Sequence, residues 1–429
     1  MTAILLKSQV GVCIGKTGQS LGQLTYVKQG AREYSAFTYD SAWLTHPERF
    51  EVSSDLPLVP GHATRRAPSK DDSCFHFAIA DTEPGAWGRR VIARAHAKER
   101  KRNPKLAALT AFDYLNAVDD FSRMGALRLR ASDGQFLATL EEGKRSTPAL
   151  LDLQHMYLAS RAVESGRETA EDLKYLQGKG TSLGGMRPKC TVLEADGTLA
   201  LGKFPSIQDP RNVTRAEVLA LHLARRAGID AASARIAMVK DTPVAVIRRF
   251  DRTTDFARIH YMSAASMLQA TRGEERAYTE VADVIRAKCV HPNDDAQQLW
   301  RRLVFNLLIT NVDDHLQNMG FLYAGQGKWR LAPAFDINPF PDKDRESKTW
   351  LSEDAGPITS LNMLMEQANY FGLQPARALK VLAEVHAAVR AWRAVALTPA
   401  VGLLAKELED FAPAFEHAEM NATRGLLGS

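Results

Sequence analysis

The octapeptide NVDDHLQN, residues 311–318, follows the apolar stretch LWRRLVFNLLI with only Thr310 between them. Within it, Asp313 and Asn318 stand five residues apart. That is the separation, in phosphoryl-transfer loops, between a carboxylate that takes the proton of an attacking hydroxyl and an amide that binds a divalent cation. Asp336, in RLAPAFDIN, lies 23 residues beyond Asp313. The intervening MGFLYAGQGKWRLAP reads as a hairpin, which brings its two ends together and lets Asp336 meet Asn318 across one magnesium ion. Asp313 is then the general base, with Asn318 and Asp336 as metal ligands. Taken alone, the octapeptide fits an Asx-rich capping loop equally well, with Asn311 and Asp314 bonded to backbone N–H groups.

Two features upstream favour the active-site reading. GKGTSLGGMRPK, residues 178–189, precedes a strand, and Gly184 and Gly185 would let backbone N–H groups approach a phosphate closely. Lys203 ends the strand TLALGK, from which an ammonium can reach nucleotide phosphates, and Glu217 on the next helix can orient it. Each has a structural alternative: a plain turn for the glycines, a solvent-exposed strand end for Lys203. Lysine strand, octapeptide and Asp336 in that order make catalysis the better account. His315 is expected to brace the loop by hydrogen bonding. GVCIGKTG, residues 11–18, imitates a phosphate-binding loop, but Val10 occupies the position where that motif needs glycine.

The elements that must position these residues are legible in outline. Short β-like runs over residues 3–65 suggest a small sheet-containing cap, and helical periodicity covers 89–120 and 146–177. KCTVLEA and TLALGKF flank Asp196-Gly197, a hairpin. TRAEVLALHLARRAG is a helix opened by a Thr214/Glu217 capping box and closed at Gly228. The strand TPVAVIRRF follows, then the buried helix LWRRLVFNLLI, and a late amphipathic helix begins near Pro375. The expected division is an N-terminal lobe over 1–248, comprising a subdomain 1–150 and a Gly-rich and lysine-strand part 151–248, followed by a helical lobe 249–429.

The chain has 429 residues, 45% apolar and 24% charged, enough for two or three packed units and incompatible with disorder or a collagen-like repeat. It contains no run of 18 apolar residues, and its start lacks the basic and apolar regions of a secretion signal, so a cytoplasmic protein without membrane contact is expected. The four cysteines are far apart, which predicts reduced, buried thiols. Net charge is +5, unevenly spread: WGRRVIARAHAKERKRNPK, residues 87–105, carries eight Lys/Arg against Glu99 alone. That segment is either a solvated helix face or a patch for nucleic acid or an acidic partner.

Together TSLGGMRPK, LGKFPS, RRFDR at 248–252, NVDDHLQN and LAPAFDI resemble the HipA family of serine/threonine protein kinases, the toxin halves of type II toxin–antitoxin pairs. EPGAWGRR and DDFSRMGAL extend the resemblance into the N-terminal part, so that it covers nearly the whole chain. It implies an α/β (α+β) two-lobed kinase-like fold with an extra N-terminal subdomain. It also implies ATP and Mg2+ as cofactors, with Asp313 as base and Asn318 and Asp336 on the metal. Lys203 would contact the phosphates, and the 248–250 segment, with Arg248 and Phe250, would meet adenine. Ser182 matches the family's inhibitory autophosphorylation serine, Thr181 being its neighbour; a phosphate there would place about −1.5 to −2 charge beside the nucleotide. The implied partners are a HipB-like helix-turn-helix antitoxin, DNA through that complex, and an aminoacyl-tRNA synthetase as substrate. The sequence departs from the family at Arg248, where an acid is common, and at Asp314, a second acid beside the base.

Two other readings stand beside this one. A small-molecule or lipid kinase on the same scaffold shares the five-residue spacing. A non-catalytic partner or co-repressor of a DNA-binding protein would use residues 89–105 but has no need of Asp313, Asn318, Asp336 and Lys203 in order.

Overall fold

The computed structural model describes residues 5–138, 153–177 and 184–428. The contacts divide the chain into two compact units, Met1–Ile207 with Asp251–Met262 and Gly325–Gly327, and Gln208–Phe250 with Ser263–Ala324 and Lys328–Ser429. Mixed sheets and helices make up both, in agreement with the expected α/β composition.

In the first unit β1 (Leu5–Ile14), β2 (Gln19–Gln29), β3 (Arg32–Tyr39), β4 (Ala63–Arg66) and β5 (Leu127–Arg130) form an antiparallel sheet in the order β4-β3-β2-β1-β5. Val10, Leu24 and Phe37 lie opposite one another in the register, and all three are buried. This is the alternation of a sheet with one packed face. The phosphate-loop look-alike is the β1–β2 turn, with Gly15 and Gly18 at φ +76° and +71°. Its glycines serve a left-handed turn.

The short helices α1 (Ser41–Leu44) and α2 (Phe77–Ala80) follow β3 and β4 in turn. The continuous helical stretch expected over 89–120 is interrupted. α3 (Ala86–Arg102) ends at Asn103, because Pro104 disfavours helical geometry in the residue before it. α4 (Ala111–Asn116) starts afresh from a capping box in which Thr110 N donates to Asp113 Oδ2 at 2.7 Å. Of the stretch expected over 146–177, the part to residue 152 lies outside the described residues. The rest is α5 (Leu153–Ser165) and α6 (Ala170–Gln177), broken at Gly166 with φ +71°. β6 (Lys189–Leu193) and β7 (Leu199–Lys203) form the expected hairpin, with Gly197 at φ +80°.

DDFSRMGAL and the Asp251-Arg252 pair of the hinge motif meet inside this unit as one buried polar network. Asp251 Oδ2 accepts from Gly125 N and from Arg252 Nη1, both at 2.7 Å. Arg252 Nη2 donates to the Arg123 carbonyl at 2.6 Å, while Asp120 takes Arg128 Nη2 at 2.6 Å and Arg258 Nη2 at 3.2 Å. Arg123 is wholly enclosed, and burial lowers its pKa to about 10, so it stays charged at neutral pH. Truncating one member would leave an opposing charge buried without its partner, a loss of about 3–5 kcal/mol.

In the second unit α7 (Val213–Arg226) is capped two residues earlier than the sequence suggests. Asn212 Oδ1, not Thr214, accepts from Arg215 N at 3.4 Å, because the Thr214 hydroxyl is turned to Asn212 and the Pro243 carbonyl. Gly228, at φ +74°, closes the helix as expected. β8 (Ala234–Val239) and β9 (Thr242–Arg248) form an antiparallel pair. Then come β10 (Tyr261–Ser263), which straddles the unit boundary, α8 (Ala264–Met267), α9 (Tyr278–Lys288), α10 (Pro292–Leu308), β11 (Gly320–Gly325) and β12 (Lys328–Leu331), the last two neighbours in one sheet. The pair β13 (Trp350–Ser352) and β14 (Gly356–Pro357) leads to α11 (Leu361–Glu366), α12 (Pro375–Arg390), α13 (Trp392–Ala396), α14 (Ala412–Phe415) and α15 (Ala418–Leu426).

Helix α10 forms the centre of the second unit. Leu299, Trp300, Val304, Phe305 and Leu308 are entirely buried, each contributing roughly 1.5–3 kcal/mol of apolar burial. Arg301 and Arg302 are buried as well. Arg301 bridges the Ala227 carbonyl and Glu384 at 2.6 and 2.7 Å, and Arg302 donates to the Ala332 carbonyl at 2.8 Å. Arg302 thereby fastens the helix to the chain that leads into Asp336.

Candidate active site

The octapeptide is the exit of α10. The helix stops at Leu308, and Thr310 turns the chain with φ +52° while its hydroxyl donates to the Ala414 carbonyl at 3.1 Å. Asn311, buried, holds three strands of chain together: its N–H donates to the Asn306 carbonyl at 2.8 Å, its Nδ2 to Asn306 Oδ1 at 3.0 Å, and its Oδ1 accepts from Asn338 N at 3.3 Å. Residues 316–318 then form one 3-10 turn, tied back by Asn318 N to the His315 carbonyl at 2.8 Å. Asn318 Nδ2 donates to the Asp313 carbonyl at 2.8 Å. With its nitrogen so engaged, the amide presents its oxygen on the other side, the atom a cation would take.

Asp313 is half-exposed, and its Oδ1 receives the Lys348 ammonium. His315 Nε2 stands 3.9 Å from the same oxygen, and His315 Nδ1 is buried with no hydrogen-bond partner. The expected brace from this ring is therefore corrected: the backbone carbonyl of His315, not its imidazole, ties the loop.

Asp336 arrives from β12 in a left-handed conformation, φ +53°, that Gly, Asn and Asp adopt more readily than other residues. Asn338 Nδ2 stands 3.4 Å from Asp336 Oδ1, and the Asn338 amide oxygen is buried without a partner. The Asn338 N–H to Asn311 bond binds this stretch to the octapeptide. A second oxygen acceptor left unanswered beside a carboxylate fits a hydrated cation. Among the described residues no three His, Cys, Asp or Glu side chains gather into a metal-holding cluster. One or two protein oxygens plus phosphate and water ligands is how magnesium is usually held.

Phe250, at the end of the β9 segment, packs its ring on Phe335, centroids 5.4 Å apart, so the hinge motif buttresses the residue before Asp336. Arg248 is exposed, its N–H donating to the Ser233 carbonyl at 2.8 Å. Glu217, on α7, is buried.

In the first unit Lys203 is only 5% exposed, which removes the solvent-exposed strand-end alternative. It lies opposite Lys189, also buried, whose ammonium contacts the Gly184 carbonyl. Gly185, at φ +95°, packs so closely that a Cβ would meet Lys189 Nζ, and a Cβ on Gly85 would meet the Gly184 backbone at 2.6 Å. Trp87 N donates to the Gly185 carbonyl at 3.1 Å, so the start of α3 clasps the glycine pair. Ser182 and Thr181 lie outside the described residues.

Residues 181–392, from the glycine-rich segment to α13, match the family described as the HipA-like C-terminal domain. Those residues form a HipA-like C-terminal domain. Over 351 residues it is 25% identical to the Sinorhizobium fredii protein named "Putative kinase Y4mE", covering 75% of each chain. HipA of Shewanella oneidensis MR-1, solved with HipB and its operator DNA, superposes with a TM-score of 0.64 over 98% of this chain and 97% of that one at 16% identity, which establishes the two-lobed kinase-like fold. The Helicobacter pylori proinflammatory kinase CtkA aligns with 57% of this chain and 90% of its own at 17% identity, TM-score 0.43.

Within this HipA-like domain, sequence reasoning missed Lys348, Tyr278 and the purpose of Asp314. Asp314 is buried: its Oδ2 accepts the Tyr278 hydroxyl at 2.7 Å, its Oδ1 the Lys348 N–H at 2.7 Å, and its carbonyl the Thr349 hydroxyl at 2.9 Å. Burial pushes its carboxyl above the ordinary range, while the Tyr278 and Lys348 hydrogen bonds pull the other way. The second acid is thus a structural anchor for the 347–349 segment of the HipA-like domain. No local signal could have found it, since its partners lie more than 30 positions away in both directions.

Proposed function

We propose that the chain is an ATP- and magnesium-dependent serine/threonine protein kinase acting as a HipA-like growth-inhibiting toxin. The observation that carries this reading is the pairing of Asp313 with Asn318 in a loop bound, through Asn311 and Asn338, to the segment bearing Asp336. Asp313 has its carboxylate half-open to solvent, where an acceptor hydroxyl can approach. The hydroxyl gives its proton to Asp313 as its oxygen bonds the γ-phosphorus; the bond from phosphorus to the β,γ-bridging oxygen breaks and the electron pair departs on ADP. Asn318 and Asp336 would hold magnesium, which when bound neutralises phosphate charge. Lys203 would face the phosphates, with Gly184 and Gly185 as cradle and Glu217 as the orienting carboxylate, and Arg248 and Phe250 would border adenine.

The substrate class best suited to the family resemblance is an aminoacyl-tRNA synthetase. Ser182 is the candidate for inhibitory self-modification, and a HipB-like DNA-binding antitoxin is the candidate partner, since the Shewanella oneidensis HipA was solved with HipB and operator DNA. No helix among the described residues is long and apolar enough to cross a membrane.

The test is incubation of the purified chain with labelled ATP and magnesium, wild type beside Asp313→Ala, with labelled sites mapped by mass spectrometry. Label on Ser182 in wild type and none in Asp313→Ala is expected. Equal labelling of both proteins removes Asp313 as base.

A further inference from the structure

We infer that Lys348 is a positioning residue for phosphoryl transfer: it holds the Asp313 carboxylate in one orientation, from a segment that Asp314 pins in place. This rests on reading Asp313 as the base. The two adjacent acids grip the two ends of one lysine, Asp313 Oδ1 taking the ammonium and Asp314 Oδ1 the backbone N–H, the latter at 2.7 Å.

A lysine on a protein surface ordinarily sweeps through many rotamers, and an exposed ion pair contributes little to stability. The side chains of Lys348 and Asp313 are 56% and 39% exposed, so their pairing is not there to hold the fold. The backbone beneath Lys348, by contrast, is held on both sides. Ser347 N donates to the Ile358 carbonyl at 3.1 Å and Ser347 Oγ to the Thr349 carbonyl at 2.6 Å. Thr349 Oγ1 donates to the Asp314 carbonyl at 2.9 Å, and Trp350 N to the Arg276 carbonyl at 2.9 Å. An otherwise mobile cation is thereby launched from a fixed point toward a single carboxylate oxygen.

The consequence is geometric. With Oδ1 occupied by the ammonium, Oδ2 is left to take the acceptor proton, and rotation of the carboxylate is suppressed. Lys348 itself neither gives nor takes a proton; the proton passes from the hydroxyl to Asp313, and the leaving electron pair stays on ADP.

The experiment uses the full chain with ATP and magnesium, following both the rate of self-labelling and ADP release as ATP is varied. Wild type is compared with Lys348→Met, Lys348→Arg and Asp313→Ala. Lys348→Met is expected to lower the maximal rate about 10- to 100-fold while the KM for ATP stays within about twofold, and Lys348→Arg to recover most of the loss. The urea midpoints of the Lys348 variants should match wild type. A wild-type or faster maximal rate in Lys348→Met, or a loss confined to KM, overturns the inference while leaving the kinase reading intact. Undiminished activity in Asp313→Ala overturns the base assignment, and with it the role given to Lys348.

Discussion

The Tyr278 hydroxyl donates to Asp314 Oδ2 at 2.7 Å, joining the first turn of α9 to the loop that follows α10. Both residues are buried, and burial raises the tyrosine pKa well above its ordinary value, so the phenol remains a donor at any physiological pH. Tyr278→Phe leaves a buried carboxylate oxygen short of a donor and is expected to cost about 1–3 kcal/mol. Asp314→Ala should cost more, since two buried donors, the Tyr278 hydroxyl and the Lys348 N–H, lose their acceptor. The two losses should not add, and a double-mutant cycle by urea unfolding measures the coupling; strict additivity would show that the contact carries no energy.

Asp336 makes a second test, because its backbone and its carboxylate can be separated. Asp336→Asn keeps a residue type that tolerates positive φ, whereas Asp336→Ala adds about 1–2 kcal/mol of left-handed strain. Both variants should bind ATP in magnesium at least about tenfold more weakly than wild type by calorimetry. Only the alanine variant should also lose stability. Unchanged magnesium-dependent affinity in both would remove Asp336 from the metal.

Two buried histidines set a pH dependence. Burial lowers the pKa of His260 to about 4, where its Nε2 meets the Val52 carbonyl at 2.7 Å, and likewise of His417, to about 4. In the unfolded chain both titrate near the ordinary value of about 6.5. Between those limits the unfolded state binds more protons, so stability rises with pH. Full stabilisation is present above about pH 6.5 and is lost as pH falls toward about 4, on the order of 3 kcal/mol for a group as enclosed as His260. Urea midpoints at pH 7 and pH 5 should show the fall, and His260→Gln should shrink it; a flat profile would contradict the burial.

The basic end of α3 offers a test of the nucleic-acid role. Arg94 and Lys98 are tied to Glu168, but Arg100, Lys101, Arg102 and Lys105 are exposed. Three of these four stand in the last turn of the helix, where cations also suit its dipole. If they touch DNA in an antitoxin complex, converting Arg100, Lys101 and Arg102 to Gln should flatten the salt dependence of binding by about 0.9 per lost phosphate contact. Unchanged affinity and slope would leave them as a solvated helix end.

What could be read in advance depended on how local the signal was. The Asp196-Gly197 hairpin and the Gly228 helix stop announce themselves within a few residues, and both are present. The Asp313–Asn318 spacing is equally local, and the amide-to-carbonyl bond between them follows from it. The cap of α7 was misplaced by two residues, because Thr214 and Asn212 are both competent caps and a tertiary contact to Pro243 decided between them. Pro104 was in plain view, yet the charged periodicity on its N-terminal side masked the break. Nothing local in LWRRLVFNLLI marks Arg301 and Arg302 as buried; only the Ala227 and Ala332 carbonyls, both remote in sequence, give them a reason to be inside. Asp314 and Lys348 belong to the same class, residues whose meaning is carried by neighbours that the fold alone supplies.

The network around Asp251 and Arg252 draws residues 251–262 back into the first unit after β8 and β9 have already been given to the second. The chain is therefore laced between its halves rather than laid out one after the other. Neither half corresponds to a single uninterrupted span of codons, so recombination at one crossover cannot exchange a lobe for that of a relative. Exchanging one unit intact would take several crossovers, one at each point where the chain passes between the two.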